Sequence, residues 1–152
     1  MRLNLGTDYG LRVLMYLLAR PGERAQIDTM AAAFSISAHH LTKVVQRLSH
    51  AGFVDTYRGR AGGVVLARAP EAINLGDVVR SLEADFALVE CFSESGNACC
   101  LSPACRLRGI IGEALGAFID TFSKYTLADL EIADLKRLLA FQLLPEPAER
   151  PA

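Results

Sequence analysis

The sequence predicts a mainly α-helical fold that includes one small β element. Three patterns support this: helical spacing of apolar residues across the first fifty positions, two short apolar runs near residues 53–66, and a long periodic stretch from about 104 to 125. The 152 residues, of which 51% are hydrophobic, are enough for one or two small domains with an apolar core. No segment approaches the roughly 20 continuous apolar residues of a membrane span.

Two helices are predicted before residue 35. Thr7 is the expected cap of the first helix, which runs to about Ala19 before the sequence RPGER ends it. Asp28 is the expected cap of the second, short helix over TMAAAF, whose alanines allow a neighbouring helix to pack closely. The tripeptide SIS at 35–37 predicts a tight turn after that helix.

A third helix is predicted from its cap, Ser37, to Ala51 and Gly52. Two short helices joined by a three-residue turn are typical of a helix-turn-helix, whose second helix enters the major groove of DNA. The residues predicted to face inward are Leu41, Val44, Val45 and Leu48, and those predicted to face outward are His39, His40, Thr42, Lys43, Gln46 and Arg47. The outward face is therefore the candidate surface for DNA.

A basic β-hairpin is predicted directly after the third helix. The sequence FVDTYRGRAGGVVLARAP places two strand-like runs around a tip that is rich in arginine and glycine and includes Arg58 and Arg60. A hairpin in this position is a wing. The predicted fold class is therefore mainly α with a small β wing: a winged helix-turn-helix plus a long dimerisation helix.

The net charge of −1 conceals two unlike halves. Residues 1–70 hold nine Lys and Arg against four Asp and Glu, a balance of +5, and the remainder holds seven against thirteen, a balance of −6. A basic half joined to an acidic half suggests a module that binds a polyanion such as DNA. The alternative is an ordinary helical bundle with a solvated polar face, which would also have to explain the basic hairpin and the charge division.

The second half of the chain predicts a helix that one small domain cannot cover. Asn74 is the expected cap of a short helix, and the long helix spans about Ala104 to Tyr125. The apolar face of the long helix comprises Leu107, Ile110, Ile111, Ala114, Leu115, Phe118, Ile119, Phe122 and Tyr125. A helix from a second copy of the chain is the expected cover, and packing against residues 127–140 is the alternative.

All four cysteines lie in the fifteen residues CFSESGNACCLSPAC, which run from Cys91 to Cys105. No basic leader precedes an apolar stretch, so we expect a cytoplasmic protein, in which thiols stay reduced and clustered cysteines indicate metal or redox chemistry. Cys91, Cys99 and Cys105 lack the close pairing that is typical of structural zinc sites, which favours an iron-sulfur cluster. Zinc bound by all four thiols stays open as an alternative.

The sequence does not favour an enzyme. It offers no Ser/His/Asp arrangement and no paired carboxylates for catalysis, and His39 and His40 lie on the predicted DNA surface. Adjacent helical residues point about 100° apart, so these two histidines do not easily share one metal ion. We expect them to be exposed residues near DNA and not metal ligands.

The sequence resembles the winged-helix iron-sulfur regulators over nearly its whole length. The resemblance rests on the motifs TDYGLRVLMYL, SAHHLTKVVQRLSHAGFV, YRGRAGGVVLA, INLGDVVRSLE, CLSPACRL and YTLADL. It implies a homodimeric transcriptional repressor that binds a pseudo-palindromic operator in double-stranded DNA. It also implies an iron-sulfur cluster, 4Fe-4S in preference to 2Fe-2S, that is held by Cys91, Cys99 and Cys105, with Cys100 as an extra thiol.

Two branches of that family differ in the fourth ligand of the cluster. The branch that regulates iron-sulfur assembly uses a histidine three residues past the last cysteine, where this chain has Arg108. The branch that senses nitric oxide uses an aspartate of the first helix, supplied by the other subunit, and Asp8 matches that aspartate. By its position alone, Asp8 would only be a first-turn carboxylate that the helix dipole stabilises by about 0.3–1 kcal/mol.

The resemblance also implies roles for residues of the DNA-binding head. Arg58 is expected in the minor groove and Arg60 on phosphate. The residues expected near the major groove are Ser37, His39, His40 and Lys43. The implied function is a nitric-oxide-responsive repressor. The alternatives are a regulator that responds to iron-sulfur status and a transcription factor that depends on zinc or on thiol redox state.

Three segments are predicted along the chain. Residues 1–75 form the winged helix-turn-helix domain, and residues 76–144 form the cluster-binding loop and the dimerisation helices. Residues 145–152, PEPAERPA, are predicted to be a disordered tail.

Overall fold

The structure is a computed structural model that describes residues 3–59, 61–83, 85–93, 96, 98–132, 134–135 and 137–138. Its helices are α1 (Leu5–Leu18), α2 (Ile27–Phe34), α3 (Ala38–His50), α4 (Leu75–Leu82) and α5 (Arg106–Ser123), and its strands are β1 (Val54–Tyr57) and β2 (Gly63–Leu66). Short 3₁₀ turns lie at Pro70–Ala72, Glu90–Phe92, Ser102–Ala104 and Leu127–Leu130. The two strands form an antiparallel sheet, so the prediction of a mainly helical fold with a small wing is confirmed.

The first two helices begin earlier than the sequence patterns predict. Asn4, not Thr7, caps α1, because the Asn4 side-chain oxygen accepts the backbone N–H of Thr7 at 2.9 Å. Thr7 is instead fully buried inside the helix. Gln26 precedes α2, so the prediction of a cap at Asp28 is also wrong, and Asp28 lies in the first turn. Both predictions were wrong because short polar residues such as Thr7 and Asp28 are favoured at the N-cap of a helix. Acidic residues are also favoured in the first turn, which is where Asp28 lies.

The turn between α2 and α3 agrees with the sequence prediction. Ser35 ends α2 in the left-handed conformation, with φ 53° and ψ 41°, and Ser37 occupies the N-cap position of α3. The Ser37 side chain makes no capping hydrogen bond. The predicted inward side chains of α3 are buried, namely Leu41, Val44, Val45 and Leu48. The two helices and their turn therefore form the predicted helix-turn-helix.

One apolar core joins α1, α2, α3 and α4. Its fully buried side chains include Leu14 of α1, Met30 of α2, Leu48 of α3 and Leu82 of α4. Gly10 allows α1 to approach α4, because a Cβ atom there would collide with the Leu82 side chain. The helix α4 thus packs on the DNA-binding head, and the predicted division of the chain near residue 75 stays a prediction.

The junction of α4 and α5 is held by side-chain hydrogen bonds. Asn74 caps α4 as predicted, since its side-chain oxygen accepts the backbone N–H groups of Gly76 and Asp77. Asn74 Nδ2 also donates to the Ser123 carbonyl at 2.8 Å, and Arg80 donates to the Ser123 hydroxyl at 3.0 Å. The C-terminal end of α5 is thereby fixed to α4.

The first half of α5 is uncovered in the single chain. Ile119, near the end of the helix, is buried, whereas Leu107 and Ile110 are 60% and 55% exposed. Residues Leu127–Leu130 pack against α1 and the Pro70–Ala72 turn. Within the described part of residues 127–140, the intramolecular alternative therefore does not cover the beginning of α5.

The described helices include none that is long and apolar enough to cross a membrane.

Candidate DNA-binding surface and cysteine loop

The outward face of α3 is exposed, as the sequence predicts. Its exposed residues, with the preceding cap residue, are Ser37, His39, His40, Lys43, Gln46 and Arg47. Thr42 is half-buried, and its hydroxyl donates to the Ala38 carbonyl at 2.8 Å. The His39 and His40 ring centroids lie 6.2 Å apart, with the rings tilted by 45°. The polar side chains predicted to approach the major groove are thus available on one helix.

Arg47 differs from these residues because its guanidinium has protein partners. It donates to the carbonyl oxygens of Leu82 at 2.5 Å and of Ser81 at 3.3 Å. These carbonyls lie in the last turn of α4, where main-chain acceptors lack helical partners and where the helix dipole favours a cation. Arg47 therefore ties the recognition helix α3 to α4, and its predicted contact with DNA stays a prediction.

The wing places Arg58 beside the recognition helix. In the antiparallel pairing Tyr57 lies opposite Gly63, and the exposed Arg58 follows directly after β1. A groove between α3 and the wing is lined by Ile27, Thr42, Val45, Gln46, Ser49, His50, Thr56 and Arg58. Arg60 lies outside the described residues. The structure thus brings Arg58 and part of the outward face of α3 to one groove.

The segment between α1 and α2 contacts the wing, which the sequence patterns do not predict. Ala25 and Val64 exchange backbone hydrogen bonds at 3.0 and 2.9 Å. Arg24 donates to the Ala61 carbonyl at 2.8 Å, and Gln26 Nε2 donates to the Gly62 carbonyl at 2.6 Å. In the sequence this segment only indicates the end of a helix.

The four cysteines lie in the connection between α4 and α5. Cys91 is in the Glu90–Phe92 turn and Cys105 is the N-cap residue of α5, and both are half-buried. Cys99 and Cys100 are exposed, and none of the four forms a disulfide. Among the described residues, no group of three or more His, Cys, Asp or Glu side chains is placed to hold a metal ion. The single chain therefore carries the predicted thiols in one loop without gathering them around one point.

The donors of this loop suit an iron-sulfur cluster by their chemistry. Thiolates are the soft ligands that iron-sulfur clusters prefer, and no disulfide occupies these four. Two contacts draw the loop together: the Ala98 backbone N–H donates to the Glu90 carboxylate at 2.8 Å, and the Arg108 guanidinium lies 5.9 Å from the Phe92 ring centroid. Arg108 itself cannot ligate iron, because its guanidinium has no acceptor lone pair.

Asp8 lies in the first turn of α1, where it is paired with Arg12. Both carboxylate oxygens accept from the Arg12 guanidinium, at 2.9 and 3.1 Å. The Asp8 side chain is 41% exposed, so another subunit can reach it. Within the described residues Asp8 does not join the cysteines in a metal-binding group.

A hydrogen-bonded junction connects the first turn of α1 with the end of α4. The Thr7 hydroxyl donates to the Glu83 carboxylate at 2.6 Å, and the Asn4 backbone N–H lies 3.2 and 3.3 Å from the two oxygens of the same carboxylate. Asn4 Nδ2 donates at 3.2 Å to the Leu82 carbonyl, which also accepts from Arg47. The residues that begin the cysteine loop are thus linked to both α1 and α3.

Comparison with known proteins identifies a family. The family model Rrf2, described as an iron-dependent transcriptional regulator, matches residues 3–131. The HTH-type transcriptional regulator NsrR of Bacillus subtilis (strain 168) is 50% identical over 131 residues, which are 86% of this chain and 90% of that protein. NsrR of Geobacillus kaustophilus is 49% identical over 142 residues, which are 91% and 97% of the two chains.

A solved structure supports the same conclusion. A putative transcriptional regulator from Listeria innocua superimposes with a TM-score of 0.68 and 31% sequence identity, over 86% of this chain and 85% of that chain. The family match covers the helix-turn-helix, the wing, the cysteine loop and α5. The chain therefore belongs to the Rrf2 family of transcriptional regulators and, within that family, is similar to the NsrR regulators.

Proposed function

We propose that this transcriptional regulator is a homodimeric repressor that binds operator DNA when it holds a 4Fe-4S cluster and releases the DNA in response to nitric oxide. The observation that carries the proposal is the loop of four cysteines without disulfides between α4 and α5, in a chain that matches an iron-dependent regulator family. Cys91, Cys99 and Cys105 would hold the cluster together with the partner subunit's Asp8. When bound, the cluster would supply iron that a small gas can reach at the weakly bonded oxygen ligand.

Binding to DNA is assigned to the outward face of α3 and to the wing. The exposed polar side chains of α3 would read the major groove, and Arg58 would enter the adjacent minor groove. The excess of basic residues in this half of the chain would supply the attraction to phosphate, which depends on salt concentration. The groove that α3 and Arg58 share supports this assignment. The chain would act by binding DNA and not as an enzyme. We propose that it does so in the cytoplasm.

Dimerisation is assigned to α5. A second copy packed along this helix would cover Leu107 and Ile110, which are exposed large apolar side chains in the single chain. A twofold dimer would present two recognition helices, and a palindromic operator requires them about 34 Å apart, one turn of the DNA helix.

The junction at Glu83 suggests how the loop and the head communicate. Leu82 and Glu83 contact the first turn of α1 and, through Arg47, the recognition helix. Restraint of the loop at Cys91, together with ligation by Asp8, would hold these contacts and fix the spacing of the recognition helices. Removal of the restraint would let that spacing vary, and the affinity for operator DNA would fall.

The test is anaerobic purification followed by absorption spectroscopy and analysis of iron, sulfide and zinc. The proposal predicts a brown protein whose sulfide-to-iron absorption is bleached by nitric oxide. A colourless protein that contains zinc would contradict it and favour a zinc- or thiol-dependent regulator. A brown protein whose DNA binding follows cluster occupancy but ignores nitric oxide would favour a regulator of iron-sulfur status.

A further inference from the structure

We propose that Arg24 and Gln26 are positioning residues that hold the wing in the orientation in which Arg58 reads DNA. The inference rests on the proposed DNA-binding function. It extends that function to the connection between α1 and α2, a segment without any predicted DNA contact.

Arg24 contacts both sides of the wing tip. Its Nη1 donates to the Ala61 carbonyl at 2.8 Å, and its guanidinium carbon lies 4.2 Å from the centroid of the Tyr57 ring. A planar guanidinium can stack on an aromatic ring and donate in its own plane at the same time, which the ammonium group of lysine cannot do. Arg24 therefore connects the end of β1 with the turn that follows Arg58.

The Gln26 side chain forms a hydrogen bond with the wing and not with its own helix. It occupies the N-cap position of α2 but makes no capping hydrogen bond. Its Nε2 donates instead to the Gly62 carbonyl at 2.6 Å. Short polar residues usually occupy this position because they satisfy the first N–H groups of a helix. The absence of that cap indicates that the amide of Gln26 serves the wing.

Gly63 allows the connection and the wing to lie this close, and Gly62 allows the tight turn within the wing itself. A Cβ atom on Gly63, whose φ is 144°, would lie 3.0 Å from the Ala25 carbonyl oxygen and 3.0 Å from Arg24 Cβ. A Cβ atom on Gly62 would collide with the Tyr57 carbonyl oxygen. Together with the Ala25–Val64 backbone pairing, three consecutive residues thus fix one side of the hairpin.

The wing tip needs such support because each strand of the wing buries only one apolar side chain in the core, Val54 of β1 and Val64 of β2. Val54 is buried, whereas the next three residues of β1 are exposed. A two-stranded hairpin is only marginally stable by itself in water. A mobile wing would have to be ordered on binding, which lowers affinity. The loss would fall on the operator complex, in which Arg58 must fit a groove, more than on non-specific complexes that rely on phosphate attraction.

The test uses two substitutions that preserve charge, Gln26→Met and Arg24→Lys, in protein loaded with its cluster under anaerobic conditions. Binding is measured to an operator selected by the wild-type protein from random sequences, and to random DNA of equal length. Hydrogen exchange is followed across residues 57–66. We expect operator dissociation constants to rise about threefold to tenfold, as for loss of one hydrogen bond, with much smaller changes on random DNA. We also expect faster exchange in the wing.

Thr29→Ala is the matched control, since Thr29 is an exposed polar residue of the same helix, α2. Its binding and wing exchange should equal those of the wild type. In an Arg58→Ala background, Gln26→Met should cause little further loss, because the arginine that it positions is gone. A full, independent loss in that background would overturn the positioning role.

The outcomes separate this inference from the proposed function. Equal losses on operator and random DNA for Gln26→Met, or unchanged wing exchange, would overturn the positioning role alone. An Arg58→Ala protein with wild-type discrimination would remove Arg58 from the minor groove, and the positioning role as stated here would fall with it.

Discussion

Glu83 is the residue at which the cysteine loop meets the DNA-binding head. Its carboxylate accepts from the Thr7 hydroxyl and from the Asn4 backbone N–H. These donors belong to the beginning of α1, immediately before Asp8 in sequence. A change at Glu83 should therefore affect the stability of the head as well as any signal that passes from the loop.

Glu83→Ala should lower the free energy of unfolding by about 1–3 kcal/mol, because it leaves the buried Thr7 hydroxyl without its acceptor. Urea denaturation measures the effect. Glu71→Ala is the control, since Glu71 is exposed and should change stability by less than about 0.5 kcal/mol. Equal effects of the two substitutions would show that the junction contributes nothing specific.

Cys99 and Cys100 are adjacent and exposed, yet we propose different roles for them. Cys99→Ala should abolish the visible absorption of the cluster and weaken operator binding, whereas Cys100→Ala should leave both largely intact. Iron and sulfide analysis of the two purified proteins checks the difference. If Cys100 is essential and Cys99 is dispensable, the assigned ligand register is wrong by one residue.

Single residues were predictable where their role follows from local pattern. The outward residues of α3 and the cap at Asn74 follow from helical spacing and from cap preference. The roles of Arg24, Gln26 and Glu83 could not be predicted, because their partners are distant in sequence. Arg24 and its partner are 37 positions apart, Gln26 and its partner 36, and Glu83 and Thr7 76. No local pattern in a sequence encodes such pairs.

At the scale of elements, α5 is the helix with the least cover. Ile110→Glu should convert the proposed dimer to monomer, because a carboxylate would be buried in an apolar interface without a partner. Sedimentation velocity measures the change. Glu113→Gln, at an exposed polar position of the same helix, should leave the dimer unchanged. A dimeric Ile110→Glu protein would place the interface elsewhere.

The Leu127–Leu130 turn begins with a capping box. The backbone N–H and the hydroxyl of Thr126 donate to the Asp129 carboxylate at 2.7 and 3.0 Å, and these hydrogen bonds, the backbone one first, hold the pKa of Asp129 below its ordinary value of 3.8. A lowered pKa in the folded state stabilises the fold above pH 3.8, and this stabilisation is lost as the pH falls through the lower, folded-state pKa.

Asp129→Asn should therefore lower stability at pH 6, and the difference from the wild type should narrow as the pH falls below 3.8. Urea unfolding of both cluster-free proteins at several pH values measures it. A difference that stays constant across this range would mean that the Asp129 carboxylate contributes no pH-dependent stability.

Elements were easier to predict than their ends. Apolar periodicity predicted α1, α3 and the long helix, because burial of one face decides whether a helix forms. The short helix α2 was predicted from an expected cap and from its alanines. The predicted starts of α1 and α2 lie too late in the sequence, because Thr7 and Asp28 resemble cap residues. The residues at the cap positions are Asn4 and Gln26. The contacts of those two residues with α4 and the wing explain their positions.

At the scale of the whole molecule, the basic head and the cysteine loop are joined through α4, which packs on α1 and α3. The fold and the charge division followed from the sequence because both are sums over many residues. The arrangement of two subunits did not, since one chain specifies only the surfaces that a partner would cover. The exposed beginning of α5 and the accessible Asp8 are the surfaces that we propose a partner covers.

The most direct test of the central claim is the operator affinity of cluster-loaded protein during titration with nitric oxide, for the wild type and for Asp8→Ala. We expect the wild-type affinity to fall about 5- to 150-fold, the usual range of coupling between two sites, as the cluster absorption bleaches. Asp8→Ala should bind the operator weakly from the start and respond little. A wild-type protein that keeps its operator affinity after its cluster absorption has been bleached would contradict the account.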